Sequence, residues 1–279
     1  MIGIITKIIS QQYQVTVKKR NYKCIVRGKV RLQTRPLVGD KVVFEAFDSV
    51  FGIEEILPRS NELIRPAIAN VDQVLIVMSA VDPEFSTTLI DRLSFMVNYE
   101  NLTAHLLITK LDKINKDHPV YDYIKEYQSS GFVVIDAFDL ESLKNVLADK
   151  ITVLAGQSGV GKSTSINRLN PKFNLVTQET SRALNRGKHT TRFTCLYPIG
   201  SGWIADTPGF SAMNWLDKDI KIFADCPADW LEYIGKCKYR NCIHEFEPSC
   251  QIKEAVKLGK LSSSRYEHYL ECLQLIRNG

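Results

Sequence analysis

The sequence predicts three domains: an all-β barrel of the oligonucleotide-binding type, an α/β domain, and an α-rich C-terminal domain with a group of cysteines. Residues 1–63 contain short, partly alternating apolar stretches between turn-prone residues, which is the pattern of a small barrel. Residues 64–217 alternate continuous apolar runs with helical segments, which predicts a mostly parallel sheet covered on both faces. The runs lie at 74–78, 104–108, 132–135, 151–155 and 203–205, and the expected helices lie around 87–99, 120–129 and 140–147. Residues 218–279 contain cysteines first and helical stretches after them.

The barrel region is strongly basic. Before Asp40 the chain has nine basic residues and no acidic one. A field of one sign attracts a polyanion, most often nucleic acid, although a merely solvated basic face has the same composition. Tyr13 and Tyr22 are candidates for stacking on bases, or equally for the core of the barrel. The basic residues are Lys7, Lys18, Lys19, Arg20, Lys23, Arg27, Lys29, Arg31 and Arg35.

The bulk composition favours a cytoplasmic protein that has no membrane partner. It is 44% apolar and 24% charged, and no stretch approaches the roughly 20 apolar residues of a membrane span. The N-terminus has neither a basic lead nor a cleavage-type site, so we expect no signal peptide. The seven cysteines are therefore expected to be reduced thiols or metal ligands. Nothing in the sequence requires more than a monomer.

The central region predicts a phosphate-binding loop. Residues 156–163 match G-x-x-x-x-G-K-[ST] in full, after an apolar run at 151–155 and before a helical segment. The glycines let backbone N–H groups turn toward a β-phosphate, assisted by the positive end of the helix. Lys162 is expected to bridge the β- and γ-phosphates and Ser163 to bind Mg²⁺. The predicted contacts are Gly156, Gln157, Ser158, Gly159, Val160, Gly161, Lys162, Ser163 and Thr164.

Two further motifs indicate a guanine nucleotide. Asp206 and Gly209 form D-x-x-G after an apolar run, where the carboxylate holds Mg²⁺ through water and the glycine N–H meets the γ-phosphate. Residues 109–112, T-K-L-D, follow another apolar run. The Asp112 carboxylate can accept hydrogen bonds from guanine N1–H and its exocyclic amine, a pair of donors that adenine lacks. A K-x-D alone is also common in surface turns. The predicted guanine contacts are Thr109, Lys110, Asp112, Asp136 and Ala137.

The guanine motif precedes the phosphate loop, whereas the usual order is the reverse. Parallel strands can be joined in a permuted order and still present their carboxyl ends at one edge, so we predict a circularly permuted domain. Asp136 departs from the Ser-Ala usual at the second guanine loop.

Residues 186–192, R-G-K-H-T-T-R, lie between the phosphate loop and Asp206. Either Thr190 or Thr191 is expected to bind Mg²⁺ when GTP orders this segment as a switch. Phe210 stands where many GTPases carry the glutamine that orients water. His189 is therefore the predicted catalytic residue, with a plain surface histidine as the alternative. We expect slow turnover without a partner.

The C-terminal region predicts a structural zinc site. Cys237, Cys242, His244 and Cys250 follow C-x₄-C-x-H-x₅-C, and three thiolates with one imidazole are a standard tetrahedral set. Independent thiols are the alternative, and Cys226 is the one cysteine that could replace a ligand. With no open coordination position, such a metal would stabilise the domain and perform no chemistry.

Together these motifs resemble the bacterial ribosome small subunit-dependent GTPase A family of circularly permuted GTPases, and the resemblance covers essentially the whole chain. It implies a late factor in maturation of the small ribosomal subunit, which binds ribosomal RNA through the barrel and the zinc domain. It also implies that the subunit stimulates hydrolysis of GTP to GDP, with His189 as the proposed catalytic residue. Arg192 departs from the family at a position where a third threonine is common.

Two other functions remain open on sequence alone. One is an RNA-binding module in which nucleotide is only a regulatory ligand and hydrolysis is vestigial, and Phe210 favours it. The other is an ATP-driven RNA enzyme, which the residues at 109–112 oppose.

Overall fold

The computed structural model describes residues 1–27, 34–47, 50–64, 66–170, 194–206, 215 and 218–278. Its strands are β1 (Ile2–Ile9), β2 (Gln12–Val17), β3 (Arg20–Val26), β4 (Lys41–Phe47), β5 (Val50–Ile56), β6 (Glu62–Leu63), β7 (Ile68–Ala69), β8 (Gln73–Ser79), β9 (Thr103–Thr109), β10 (Val134–Asp136), β11 (Ile151–Ala155), β12 (Cys195–Ile199) and β13 (Gly202–Asp206). Its α-helices are α1 (Thr87–Tyr99), α2 (Val120–Ser129), α3 (Leu140–Leu147), α4 (Lys162–Leu169), α5 (Ile220–Ala224), α6 (Gln251–Lys257) and α7 (Ser263–Arg277).

The chain divides into two compact units, each made of three segments that are separate along the sequence. The first unit comprises Met1–Val74, Asp139–Leu154 and Lys162–Phe210, and the second comprises Leu75–Phe138, Ala155–Gly161 and Ser211–Gly279. The predicted boundaries at residues 63 and 217 stay a prediction.

The first unit contains the predicted N-terminal barrel. Strands β1, β2 and β3 pair antiparallel in succession, β3 pairs parallel with β5, and β4 pairs with both β5 and β1, which closes the barrel. Alternate residues of the strands point inward and form a core that includes Ile5, Val15 and Phe44, all fully buried. Tyr13 is buried in this core, and Tyr22 packs against Phe44 and Phe51 with ring centroids 5.3 and 5.1 Å apart. Tyr13 is therefore a core residue, and Tyr22 is a partly buried residue that packs against this core.

The rest of the first unit extends this sheet. Strand β12 pairs antiparallel with β13 and meets β1 at Cys195, while β13 pairs parallel with β11. All five residues of β11 are buried, in agreement with the continuous apolar run that predicted it.

The second unit contains β8 from Leu75 onward, together with β9 and β10, which are parallel to each other. Every residue of β8 is buried, as expected of an inner strand covered on both faces. Helix α1 begins after Ser86, whose hydroxyl accepts the Leu89 N–H, and it ends at Tyr99. The predicted helices at 87–99 and 120–129 are confirmed here, and the one at 140–147 is confirmed in the first unit.

The C-terminal region of the second unit shares a hydrophobic core with α1. Phe95 of α1 contacts the rings of Phe223 and Tyr269 edge-on, at centroid distances of 6.1 and 6.2 Å. Trp230, fully buried, lies 4.7 Å from the Tyr269 ring. Within the described ranges, no helix has the length and apolar character needed to cross a membrane.

Candidate nucleotide and metal sites

The phosphate loop follows β11 and needs glycine for its shape. Gly156 has φ +132°, and a Cβ atom there would lie 2.2 Å from the Val77 carbonyl oxygen. Gly159 and Gly161 have φ +85° and +97°. Side chains are disfavoured at all three positions, and at Gly156 the approach of β8 excludes one outright. The glycine pattern in the sequence thus reflects backbone geometry.

Helix α4 begins at Lys162, directly after the loop. The predicted magnesium ligand Ser163 and the neighbouring Thr164 occupy its first turn, where backbone N–H groups are not paired within the helix. A helix start after a glycine loop is the arrangement that binds phosphate.

The guanine motif and the phosphate loop contact each other within the second unit. The Thr109 hydroxyl, which is buried, donates to the Val160 carbonyl at 2.5 Å. The Lys110 ammonium donates to the Gly159 carbonyl at 3.1 Å and to the Asp82 carbonyl. The Lys110 side chain thereby connects two backbone segments, the one before α1 and the phosphate loop.

The two predicted guanine loops lie at the carboxyl ends of adjacent strands. Asp136 pairs in register with Ile108, and the Ala137 N–H donates to the Ile108 carbonyl at 2.9 Å. Asp112 is exposed, in a single 3₁₀ turn at Leu111–Lys113. The Asp136 carboxylate accepts the Phe138 N–H at 2.9 Å, so it stabilises its own loop.

Asp206 ends β13, whose parallel partner β11 leads into the phosphate loop. Because parallel strands share one edge at their carboxyl ends, the backbone of Asp206 lies on the same edge as the end of β11. His189, Thr190, Thr191 and Gly209 lie outside the described residues, as do Phe210 and Arg192.

Sequence reasoning missed the loop between β8 and α1. This loop supplies the Asp82 carbonyl to Lys110, and a cavity of about 420 Å³ opens beside it between Phe85, His118 and Tyr123. A backbone carbonyl leaves no signature in the residue pattern, so no motif could have revealed the contact.

The four predicted zinc ligands converge in the second unit. Their ligand atoms all lie within 4.8 Å of one another. His244 Nδ1 lies 3.6, 3.4 and 3.3 Å from the sulfurs of Cys237, Cys242 and Cys250, and the Cys237 and Cys250 sulfurs are 3.9 Å apart. A tetrahedral zinc separates its nitrogen and sulfur ligands by about 3.5–3.8 Å, so this spacing fits the ion.

Burial changes the acidity of the thiols in this cluster. It raises the pKa of the Cys242 thiol to about 12, so without a metal that thiol stays protonated at neutral pH. Zinc supplies the charge that stabilises thiolates in such a site. Cys226 is not part of the cluster. Its thiol donates to the Ile222 carbonyl at 3.0 Å, and burial raises its pKa to about 12.

Comparison with known proteins identifies the family. A model of the RsgA GTPase domain matches residues 56–216, and a model of the RsgA N-terminal domain matches residues 2–53. The chain belongs to the RsgA GTPase family. "Small ribosomal subunit biogenesis GTPase RsgA 2" of Listeria monocytogenes is 41% identical over 283 residues, which cover 99% of this chain and 97% of the relative. A protein of Bacillus cytotoxicus named "Small ribosomal subunit biogenesis GTPase RsgA" is 41% identical over 286 residues, with 99% and 97% covered.

Solved structures agree with this RsgA assignment. A crystal structure of YloQ, described as a circularly permuted GTPase, superimposes with a TM-score of 0.85 at 35% identity and covers 99% of this chain and 95% of its own. That of YjeQ from Thermotoga maritima gives 0.84 at 30% identity, with 100% and 99% covered. The predicted family, the barrel and the permuted order of motifs are confirmed.

Proposed function

We propose that this chain hydrolyses GTP to GDP and phosphate on the small ribosomal subunit, and that it assists late maturation of that subunit. The observation that carries the proposal is the contact of Lys110 with the Gly159 carbonyl, because it unites a guanine motif with a phosphate loop. The family supplies the GTPase activity, and the relatives' names supply the ribosomal setting.

The phosphates are held by the loop and the start of α4. Backbone N–H groups of residues 156–161 bind the β-phosphate, and the Lys162 ammonium bridges the β- and γ-phosphates. Ser163, Asp206 and one of Thr190 or Thr191 hold Mg²⁺, which suits these hard oxygen donors and neutralises the charge of the phosphates. The Gly209 N–H contacts the γ-phosphate.

The base is selected by Asp112, which accepts from guanine N1–H and the exocyclic amine while Lys110 packs on the ring. Asp136 and Ala137 form the second wall.

His189 orients the attacking water, since Phe210 has no polar atom to do so. Catalysis requires His189 to be placed against the attacking water, and contact with the subunit supplies this placement, so the subunit stimulates turnover. The barrel turn at Lys18 and Lys19, with Arg20 and Lys23, presents exposed positive charge for ribosomal RNA. The protein acts as a monomer in the cytoplasm, with one structural zinc.

The test is GTP hydrolysis under multiple turnover, with and without purified small ribosomal subunits, for the wild type and His189→Ala. We expect strong stimulation by the subunit that the variant loses. Stimulation that survives the variant would move catalysis to another group. Tight GTP binding without any stimulation would instead indicate a nucleotide-gated RNA-binding module.

A further inference from the structure

Arg265 of α7 is a fully buried cation at the junction between the C-terminal region and α1. It is 1% exposed, and its guanidinium contacts two carboxylates. It donates to Asp91 and makes a bidentate contact with Asp229, at 2.8 and 3.1 Å. The rings of Phe132 and Phe95 lie 4.9 and 5.1 Å from the guanidinium carbon. Removing one partner of a buried ion pair strongly destabilises the protein, because the other charge is then buried without a counter-charge.

The Asp91 carboxylate, which is 0% exposed, gathers the remaining contacts of this cluster. His268 of α7 lies 2.6 Å from it through Nδ1 and 2.9 Å from the Thr88 hydroxyl through Nε2. The Tyr127 hydroxyl of α2 lies 3.0 Å from Asp91 and 3.1 Å from the Thr87 carbonyl. The first turns of α1 are therefore fixed by side chains of α7 and α2.

The segment between β8 and α1 contacts the predicted guanine motif. Between β8 and α1 the chain has only the residues from Ala80 to the N-cap Ser86. At one end, the Ala80 N–H donates to the Thr109 carbonyl at 2.9 Å. In the middle, the Asp82 carbonyl accepts the ammonium of Lys110, which also donates to Gly159 of the phosphate loop. A short segment fixed at both ends transmits a displacement of α1 directly to Lys110.

We propose that Arg265 is a positioning residue for the nucleotide site, which acts through Asp91, α1 and the Asp82 carbonyl on Lys110. The C-terminal region is then part of the scaffold that sets affinity for guanine nucleotides, in addition to any role as a ribosome contact. The zinc cluster belongs to the same scaffold, since Trp230, next to Asp229, packs against the His244 ring at 6.0 Å. The inference rests on the proposed assignment of the nucleotide site.

The experiment measures the dissociation constant of a fluorescent GDP analogue for the full chain and for Arg265→Met. We expect affinity to fall about tenfold, within the usual range for coupling between sites. The matched control is Glu271→Gln, which breaks the exposed contact of Glu271 with Arg92 between the same two helices, at 3.1 Å. It should leave affinity unchanged.

A merely structural role is separated by a double-mutant cycle with Lys110→Ala. If Arg265 acts through Lys110, the double variant binds the GDP analogue no more weakly than Lys110→Ala alone. If the affinity loss of the double variant equals the product of the two single losses, the proposal is overturned. Zinc content and circular dichroism check the fold. Should Arg265→Met not fold, His268→Gln replaces it, because His268 is 13% exposed and its loss is milder. About threefold weaker binding that is absent in the Lys110→Ala background supports the proposal, and unchanged binding overturns it.

Different results would refute the proposed nucleotide site and the positioning role of Arg265. If the wild type does not bind GDP, or Lys110→Ala binds it as well as the wild type, the proposed nucleotide site is wrong. If the wild type binds GDP and Lys110→Ala weakens that binding, but Arg265→Met binds GDP normally, only the positioning role is wrong.

Discussion

The phosphate loop and the zinc cluster keep their shapes by different means. In the loop, backbone geometry dictates the residue type, because Gly156, Gly159 and Gly161 all have positive φ. In the cluster, side chains supply the geometry, and the chain between the three cysteines and the histidine is held by a shared core. Positive φ does not require glycine there, since His244 of the cluster has φ +63°.

This difference explains how specific each sequence pattern is. A loop whose backbone must turn around a phosphate requires glycine at fixed positions. The spacing between its glycines therefore varies little, and the motif is informative. A cluster made by flexible side chains tolerates many spacings, so C-x₄-C-x-H-x₅-C needed the converged ligand atoms to support it.

Gly156→Ala should have the largest effect, and it tests whether backbone geometry determines the shape of the phosphate loop. The added methyl group meets the Val77 carbonyl oxygen at 2.2 Å, so the loop must move away from β8. We expect GTP binding to be lost, with a destabilisation of about 3 kcal/mol or more. Binding titrations and thermal unfolding measure both.

Gly131→Ala is the matched control for that variant. Gly131 also has positive φ, +85°, but nothing lies within 4 Å of the added Cβ. It should cost only the backbone strain, about 1–2 kcal/mol, and keep GTP binding. Equal effects of the two variants would show that contact with β8 does not shape the loop.

Asp112→Asn should have the next largest effect, on base choice and not on fold. An amide cannot accept both donors of guanine, but it can pair with xanthine, so preference should shift to xanthosine nucleotides. We expect a loss of GTP affinity of about a hundredfold. Asp117→Asn, another exposed carboxylate of the same loop, is the control. Unchanged GTP preference in Asp112→Asn would contradict the base assignment.

Sequence reasoning succeeded where the signal is local. Helices α1, α2 and α3 were predicted between apolar runs, at the observed bounds, and β8 and β11 were predicted from the continuous apolar runs themselves. The cluster of three cysteines and one histidine could be predicted because all four residues lie within 14 residues of chain.

It failed where the signal is distant or lies in the backbone. Arg265 and Asp91 are 174 residues apart and resemble ordinary helix-surface charges, so nothing local indicates that they are buried together. The Asp82 carbonyl has no side-chain signature. Tyr13 and Tyr22 could have been stacking or core residues, because an aromatic residue on a short strand suits either role, and packing in the barrel decided it.

Cys242→Ser tests the metal side of the comparison and should mainly affect stability. A serine hydroxyl is a poor zinc ligand, so stoichiometric zinc should be lost and unfolding should be easier by about 3 kcal/mol. Metal analysis and thermal unfolding measure these effects. Cys226→Ser, which alters a thiol outside the cluster, should keep the zinc. Retained zinc in Cys242→Ser would contradict the ligand set.

The smallest predicted effect is a pH dependence at the α1–α7 junction. The contact with Asp91 raises the pKa of His268 above its ordinary value, although Arg92 and partial burial oppose it and Glu271 adds to it. A group whose pKa is raised on folding stabilises the protein fully below its unfolded pKa, about 6.5, and loses that contribution as pH rises through the folded value. The stability difference between the wild type and His268→Gln should therefore shrink as pH is raised above about 6.5, in chemical denaturation at several pH values. His118→Gln, outside the junction, should show no such trend, and a difference that grows with pH would mean that His268 is neutral in the folded protein.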